Sequence, residues 1–157
     1  MSRVQLALNV ADLEVSVAFY SRLFGVEPAK RRPGYANFAI SEPPLKLVLI
    51  EGEPGQDTRL DHLGVEVAST DQVLAAADRL KDAGLATFEE NDTSCCYALQ
   101  DKVWVHGPGL EPWEVYTVKA DAEQMGKSPA ADHGPGGCRG GQEGGDGSGA
   151  VGVGCGA

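Results

Sequence analysis

The chain repeats itself. Shifted by 57 positions, Gln5 falls on His62, Leu6 on Leu63, Leu8 on Val65, Val10 on Val67, Ala11 on Ala68, Arg22 on Arg79 and Leu23 on Leu80. Self-similarity at a fixed spacing means one supersecondary unit used twice. Each copy opens on a strand, residues 4–10 in the first and 59–67 in the second. Each strand runs into a helix with a side-chain N-cap, Asp12 in one copy and Ser69 in the other. Leu13, Val17, Tyr20 and Phe24 line one face of the first helix, and Val73, Ala76, Ala77 and Leu80 one face of the second. Gly25 and Gly84 end them. Three strand-like runs follow each helix, at 27–32, 35–41 and 45–51 and again at 86–91, 95–105 and 112–118, with room for a bend at Asp101. The expected fold is therefore α+β, two paired βαβββ modules. With a helix on one face of each sheet, the free faces oppose one another as a metal-lined cleft.

The modules end near residue 57 and residue 118. Eight of the 21 glycines precede residue 119 and 13 follow it, in a stretch almost free of large apolar side chains. Such a segment buries too little surface to offset its ordering entropy, so 119–157 reads as a disordered tail. It carries His133, Cys138 and Cys155, whose irregular spacing gives no metal pattern. The net charge of −10 offers no basic stripe to displace counterions from phosphates, which argues against nucleic acid. No apolar run reaches the length of a membrane span. The first residues enter a short alternating run rather than a signal-peptide core, so a cytoplasmic protein, monomer or homodimer, is expected.

Two features carry chemistry. The first is the run Asn91-Asp92-Thr93-Ser94-Cys95-Cys96-Tyr97, read as a mobile polar loop between strands. Adjacent cysteines close a disulfide only with strain. They can present two soft thiolates to one thiophilic centre. The second is a set of repeat-matched positions. Gln5 and His62 are equivalent, and Leu47-Val48-Leu49 matches Trp113-Glu114-Val115. Of the four positions Gln5, Val48, His62 and Glu114, three can ligate a metal. Glu114 lies between apolar neighbours, where a carboxylate is costly unless it is paired or metal-bound. Three protein ligands with open positions make a catalytic design.

The paired modules, with Asp61-His62-Leu63-Gly64-Val65-Glu66-Val67 and Trp113-Glu114-Val115-Tyr116, resemble the vicinal oxygen chelate superfamily over residues 1–118. That superfamily includes glyoxalase I, extradiol dioxygenases, fosfomycin-resistance proteins and bleomycin-binding proteins. The Cys95-Cys96 pair resembles its carbon–arsenic lyase branch. The resemblance implies a non-haem Fe(II) dioxygenase that acts on trivalent organoarsenicals, such as methylarsenite, and releases inorganic As(III). Cys95 and Cys96 would hold the arsenic, Gln5, His62 and Glu114 the iron, and dioxygen would be co-substrate. One departure stands out: the dioxygenases place a histidine where this chain has Gln5. One type of glyoxalase I also uses glutamine there, with zinc, but adds a glutamate where this chain has Val48. The alternatives on the same scaffold are an extradiol dioxygenase, a glyoxalase-type enzyme, or a non-catalytic metal-, arsenical- or drug-binding protein.

Overall fold

The computed structural model describes residues 2–95 and 97–123. Both modules form as the repeat predicts. The first comprises β1 (Arg3–Val10), α1 (Leu13–Phe24), β2 (Lys30–Arg32), β3 (Tyr35–Ile40) and β4 (Leu45–Glu51). The second comprises β5 (Arg59–Glu66), α2 (Thr70–Asp82), β6 (Phe88–Cys95), β7 (Ala98–His106) and β8 (Pro112–Asp121). Asp12 caps α1 by accepting from the Val15 N–H, and Ser69 caps α2 by accepting from that of Gln72. Gly25 ends α1 at φ 66°, a left-handed conformation that glycine adopts without strain. No helix among the described residues is long and apolar enough to cross a membrane.

The two sheets are one. Strand β1 pairs antiparallel with β5, joining the modules into an eight-stranded sheet ordered β2-β3-β4-β1-β5-β8-β7-β6. Laid flat, the outermost strands would stand about 34 Å apart at the usual strand spacing. Yet Lys30 on β2 donates to the carbonyl of Tyr97, just beyond β6, at 3.2 Å and pairs with Asp121 at the end of β8. The sheet therefore curls until its ends meet, and the expected cleft between two sheets is the concave face of one.

Alternation along the strands separates the two faces. Leu6, Leu8 and Val10 of β1 pack with Phe38, Leu47 and Leu49 against Leu13 and Val17 of α1. Val103 and Val115 pack against Val73, Ala76 and Ala77 of α2. Both helices cover the convex face. The side chains between these positions point inward.

Several boundaries differ from the sequence reading: β2 starts at Lys30 rather than 27, β6 runs over Phe88–Cys95 rather than 86–91, and β7 over Ala98–His106 rather than 95–105. The polar run before the cysteines is strand rather than loop, since β6 continues to Cys95. The ladder slips between Glu90 and Thr93, where Asp92 takes φ 51° and its N–H donates to Asp101 Oδ1 at 2.9 Å. Asp101 thus accepts from the irregular backbone of β6, and β7 is continuous through it. Strand β8 extends to Asp121, so the segment read as tail from 119 begins as ordered strand. His133, Cys138 and Cys155, with the rest of the tail from 124 onward, lie outside the described residues, as does Cys96.

Candidate metal centre

Three neighbouring strands bring Gln5, His62 and Glu114 together. Gln5 on β1 pairs in register with Gly64 on β5, and Gly64 pairs with Glu114 on β8. Gln5 and Glu114 must therefore meet across the strand that separates them, over Gly64. A Cβ there would lie 3.2 Å from Glu114 Cγ and 3.3 Å from Gln5 Nε2, a tight contact that would press on both side chains. His62 stands two residues along β5 on the same face. The register also bears out the repeat: Ala7 pairs with Val48 as Gly64 pairs with Glu114. Val48 occupies the fourth position, buried against Ala7, Tyr35 and Tyr97.

The three polar ends form a triangle. Gln5 Nε2 lies 2.9 Å from His62 Nε2 and 2.8 Å from Glu114 Oε1, and His62 Nε2 lies 3.3 Å from Glu114 Oε1. First-row divalent ions hold N and O ligands at about 2.0–2.2 Å, so three such ligands at right angles stand about 3 Å apart. The observed edges match that spacing, and the space above Gly64 is kept clear. An amide, an imidazole and a carboxylate are a fitting donor set for a borderline divalent ion. The amide must present its oxygen, because an amide nitrogen has no lone pair to give. Among the described residues no cluster of three or more His, Cys, Asp and Glu side chains that could hold a metal gathers, and beside His62 and Glu114 the nearest further donor is the Gln5 carboxamide.

Each member is braced from behind. Asp61 Oδ1 lies 2.6 Å from His62 Nδ1, and Asn9 donates to Asp61 Oδ2 at 2.8 Å. This carboxylate–histidine pairing directs Nε2 into the triangle. Lys102 Nζ donates to Glu114 Oε2 at 2.8 Å, which leaves Oε1 for the centre. Tyr116 Oη lies 2.6 Å from Gln5 Oε1 and 2.8 Å from Glu66 Oε2. Arg3 and Lys46 hold that Glu66 carboxylate at 3.1 and 3.3 Å. Glu114 and Lys102 are 2% and 1% exposed, so neither charge is met by bulk water. Burial would push Glu114 up, but the Lys102 ammonium and His62 overcome it and bring its pKa down to about 2. Burial lowers His62, yet the Asp61 and Glu114 hydrogen bonds and charges outweigh it and raise its pKa to about 9. Tyr116 is shifted upward by burial and by the nearby Glu66 and Glu114 charges, and stays a phenol.

These shifts fix a pH profile for the metal-free protein. The folded-state pKa of His62 lies above its ordinary 6.5, so its contribution is complete below pH 6.5 and lost as pH rises through about 9. That of Glu114 lies below 4.5, so its contribution is complete above pH 4.5 and lost as pH falls toward about 2. Urea unfolding of the metal-free chain is expected to give maximal stability between pH 4.5 and 6.5. The alkaline decline should vanish in His62→Gln.

The sequence reading missed Asp61, Lys102 and Tyr116 as partners of the site. Lys102 had a signal, a lone cation beside Val103-Trp104-Val105, but only the register shows which face it takes. Trp104 sets its ring 5.5 Å from that of His62, edge to face. Its Nε1 and the Oε1 of Gln100 are buried without a hydrogen-bond partner among the described residues.

Cys95 stands on the same concave surface. It is buried and pairs in register with Ala98, two alternations from the inward Lys102. Tyr97, at φ 60°, returns the chain into the concavity. Its ring lies 5.2 Å from that of Tyr35 and packs on Ala7 and Val48. Ala7 is the register partner of His62 and lies two residues from Gln5. The residue after the vicinal pair therefore seats beside the triangle.

A family model for the glyoxalase/bleomycin resistance protein/dioxygenase superfamily matches residues 3–113. The chain belongs to that superfamily. It is 72% identical over 128 residues to a protein of Thermomonospora curvata named a trivalent organoarsenical cleaving enzyme, covering 82% of this chain and 85% of the relative. It is 65% identical over 129 residues to the cadmium-induced protein CadI of Mycobacterium tuberculosis, covering 82% and 84%. Among solved structures, an extradiol ring-cleaving dioxygenase from B. fuscum aligns with a TM-score of 0.55 at 21% identity, over 77% of this chain and 34% of that one, which speaks to the fold alone.

Proposed function

We propose that this protein cleaves the carbon–arsenic bond of trivalent organoarsenicals, methylarsenite and trivalent aromatic arsenicals among them, as a dioxygenase that releases inorganic As(III). One conjunction carries the reading. Cys95, the first residue of a vicinal thiol pair suited to arsenic, stands on the same concave face as the three donors Gln5, His62 and Glu114. The chain that holds both is 72% identical to an enzyme named for organoarsenical cleavage.

Gln5, His62 and Glu114 would hold Fe(II). When bound, the ion supplies dioxygen activation, which zinc cannot. The chain's own residues do the rest. Cys95 and Cys96 bind arsenic as a dithiolate, leaving one valence for its carbon substituent. Asp61 holds the His62 Nδ1 proton so that Nε2 faces the centre, and Lys102 occupies the outer Glu114 oxygen. Tyr97 and Tyr35 pack on Val48 and give the concave face an apolar wall beside the three donors. For methylarsenite the atoms balance as CH3As(OH)2 + O2 giving HCHO + As(OH)3, with one oxygen atom of dioxygen passing to carbon and one to arsenic.

Protein loaded with ferrous iron under argon, then given methylarsenite and air, is expected to consume O2 and release formaldehyde and arsenite in equal amounts. A stoichiometric arsenical complex with no free arsenite would mean sequestration instead.

A further inference from the structure

We propose that Tyr116, backed by Glu66, is a positioning residue that turns the Gln5 carboxamide oxygen-first toward the metal. The inference rests on the metal reading above and concerns what the site does with a glutamine where an imidazole would need no such help. A carboxamide has an acceptor side and a donor side, and only the acceptor can ligate. In the structure the donor side faces the triangle: Nε2 lies 2.8 Å from Glu114 Oε1, while Oε1 faces Tyr116 Oη at 2.6 Å. Ligation requires a half-turn of the amide.

Proton counting shows what favours that turn. Tyr116 has one hydroxyl hydrogen and two acceptors competing for it, Gln5 Oε1 at 2.6 Å and Glu66 Oε2 at 2.8 Å. Glu66 is the charged acceptor, and charge-assisted hydrogen bonds are the stronger ones. Once Glu66 takes the hydrogen, the phenol offers Gln5 only lone pairs. The outward Oε1 then meets another acceptor, whereas an outward NH2 would donate. The chain Gln5 Nε2–H to Tyr116 Oη–H to Glu66 runs in one direction, and it points Gln5 Oε1 inward. Without an ion that orientation sets two acceptor oxygens 2.8 Å apart, Gln5 against Glu114. With a cation between them they become fellow ligands. The inward NH2 has its own conflict, because it abuts His62 Nε2 at 2.9 Å and can serve that nitrogen only when it carries no proton. Tyr116 and Glu66 thus make the metal-bound orientation the one in which every group is satisfied.

The test is Mn(II) affinity, read from the EPR signal of the free ion, in the parent chain, Tyr116→Phe, Gln5→His and the double variant. Phenylalanine keeps the ring under Lys46 and Lys102; thermal unfolding without metal checks that it folds. Tyr116→Phe is expected to weaken Mn(II) by about 10–100-fold, the usual cost of an outer-shell partner. In the Gln5→His background the same change should cost about threefold or less, because no amide remains to orient. Glu66→Gln should weaken Mn(II) as Tyr116→Phe does, although Tyr116 is intact. Parent-like affinity in Tyr116→Phe, or an equal loss in the Gln5→His background, overturns the inference. Failure of the parent chain to bind Mn(II) overturns the metal reading itself and this inference with it.

Discussion

Serine at both Cys95 and Cys96 is expected to slow arsenite release from methylarsenite by about 100-fold or more, the scale of losing a tethered, oriented substrate. Mn(II) affinity should not change. A thiolate is a soft ligand with an accessible pKa, whereas a serine hydroxyl is hard and stays protonated at neutral pH. Neither serine can hold arsenic, so the arsenical reaches the centre only by diffusion. Gln5, His62 and Glu114 stand on β1, β5 and β8, whereas Cys95 ends β6, the last strand in the sheet order. The sulfurs can therefore be removed without touching a ligand. Arsenic speciation by chromatography, beside a Mn(II) titration of the same preparation, separates the two functions. Full turnover in the double serine variant would point to the extradiol or glyoxalase-type alternative, which needs the metal and no thiols.

The triangle was legible because the chain carries its own alignment. A duplicated module tells which positions are equivalent, so Gln5 could be read through His62, and Glu114 through Val48. The ladders reproduce both matches. What surrounds the triangle was illegible for a physical reason. Lys102 and Tyr116 sit in strands of ordinary alternation, and whether a lysine in such a strand faces water or a buried carboxylate depends on pairing between strands distant in sequence. The polar stretch before the cysteines misled in the same way. Its local composition favours a loop, but Asp101, and Lys119 paired to Asp92, supply partners from β7 and β8 that hold it as strand. The single sheet in place of two follows from β1 pairing with β5, a contact that neither module encodes alone.

Replacing Glu114 with glutamine is expected to have two separable effects, loss of metal binding and loss of stability. The carboxylate supplies Oε1 to the triangle and Oε2 to Lys102. A neutral amide is a far weaker donor to a divalent ion, so Mn(II) affinity should fall by about 100-fold or more, toward the upper end of what site substitutions cost. Unfolding free energy should fall by about 3 kcal/mol, because a buried ammonium loses its carboxylate partner. Adding Lys102→Met then removes the buried cation with little change of volume, and should recover most of the stability and none of the metal affinity. Lys102→Met alone leaves the Glu114 charge buried beside His62. Metal-free, that variant should be destabilised; with Mn(II) its melting temperature should rise more than the parent's, since the ion replaces the missing cation. Denaturant curves with and without Mn(II) on the four proteins read both effects. If Glu114→Gln melts early but binds Mn(II) like the parent, Glu114 is only the structural partner of Lys102 and the centre has another ligand set.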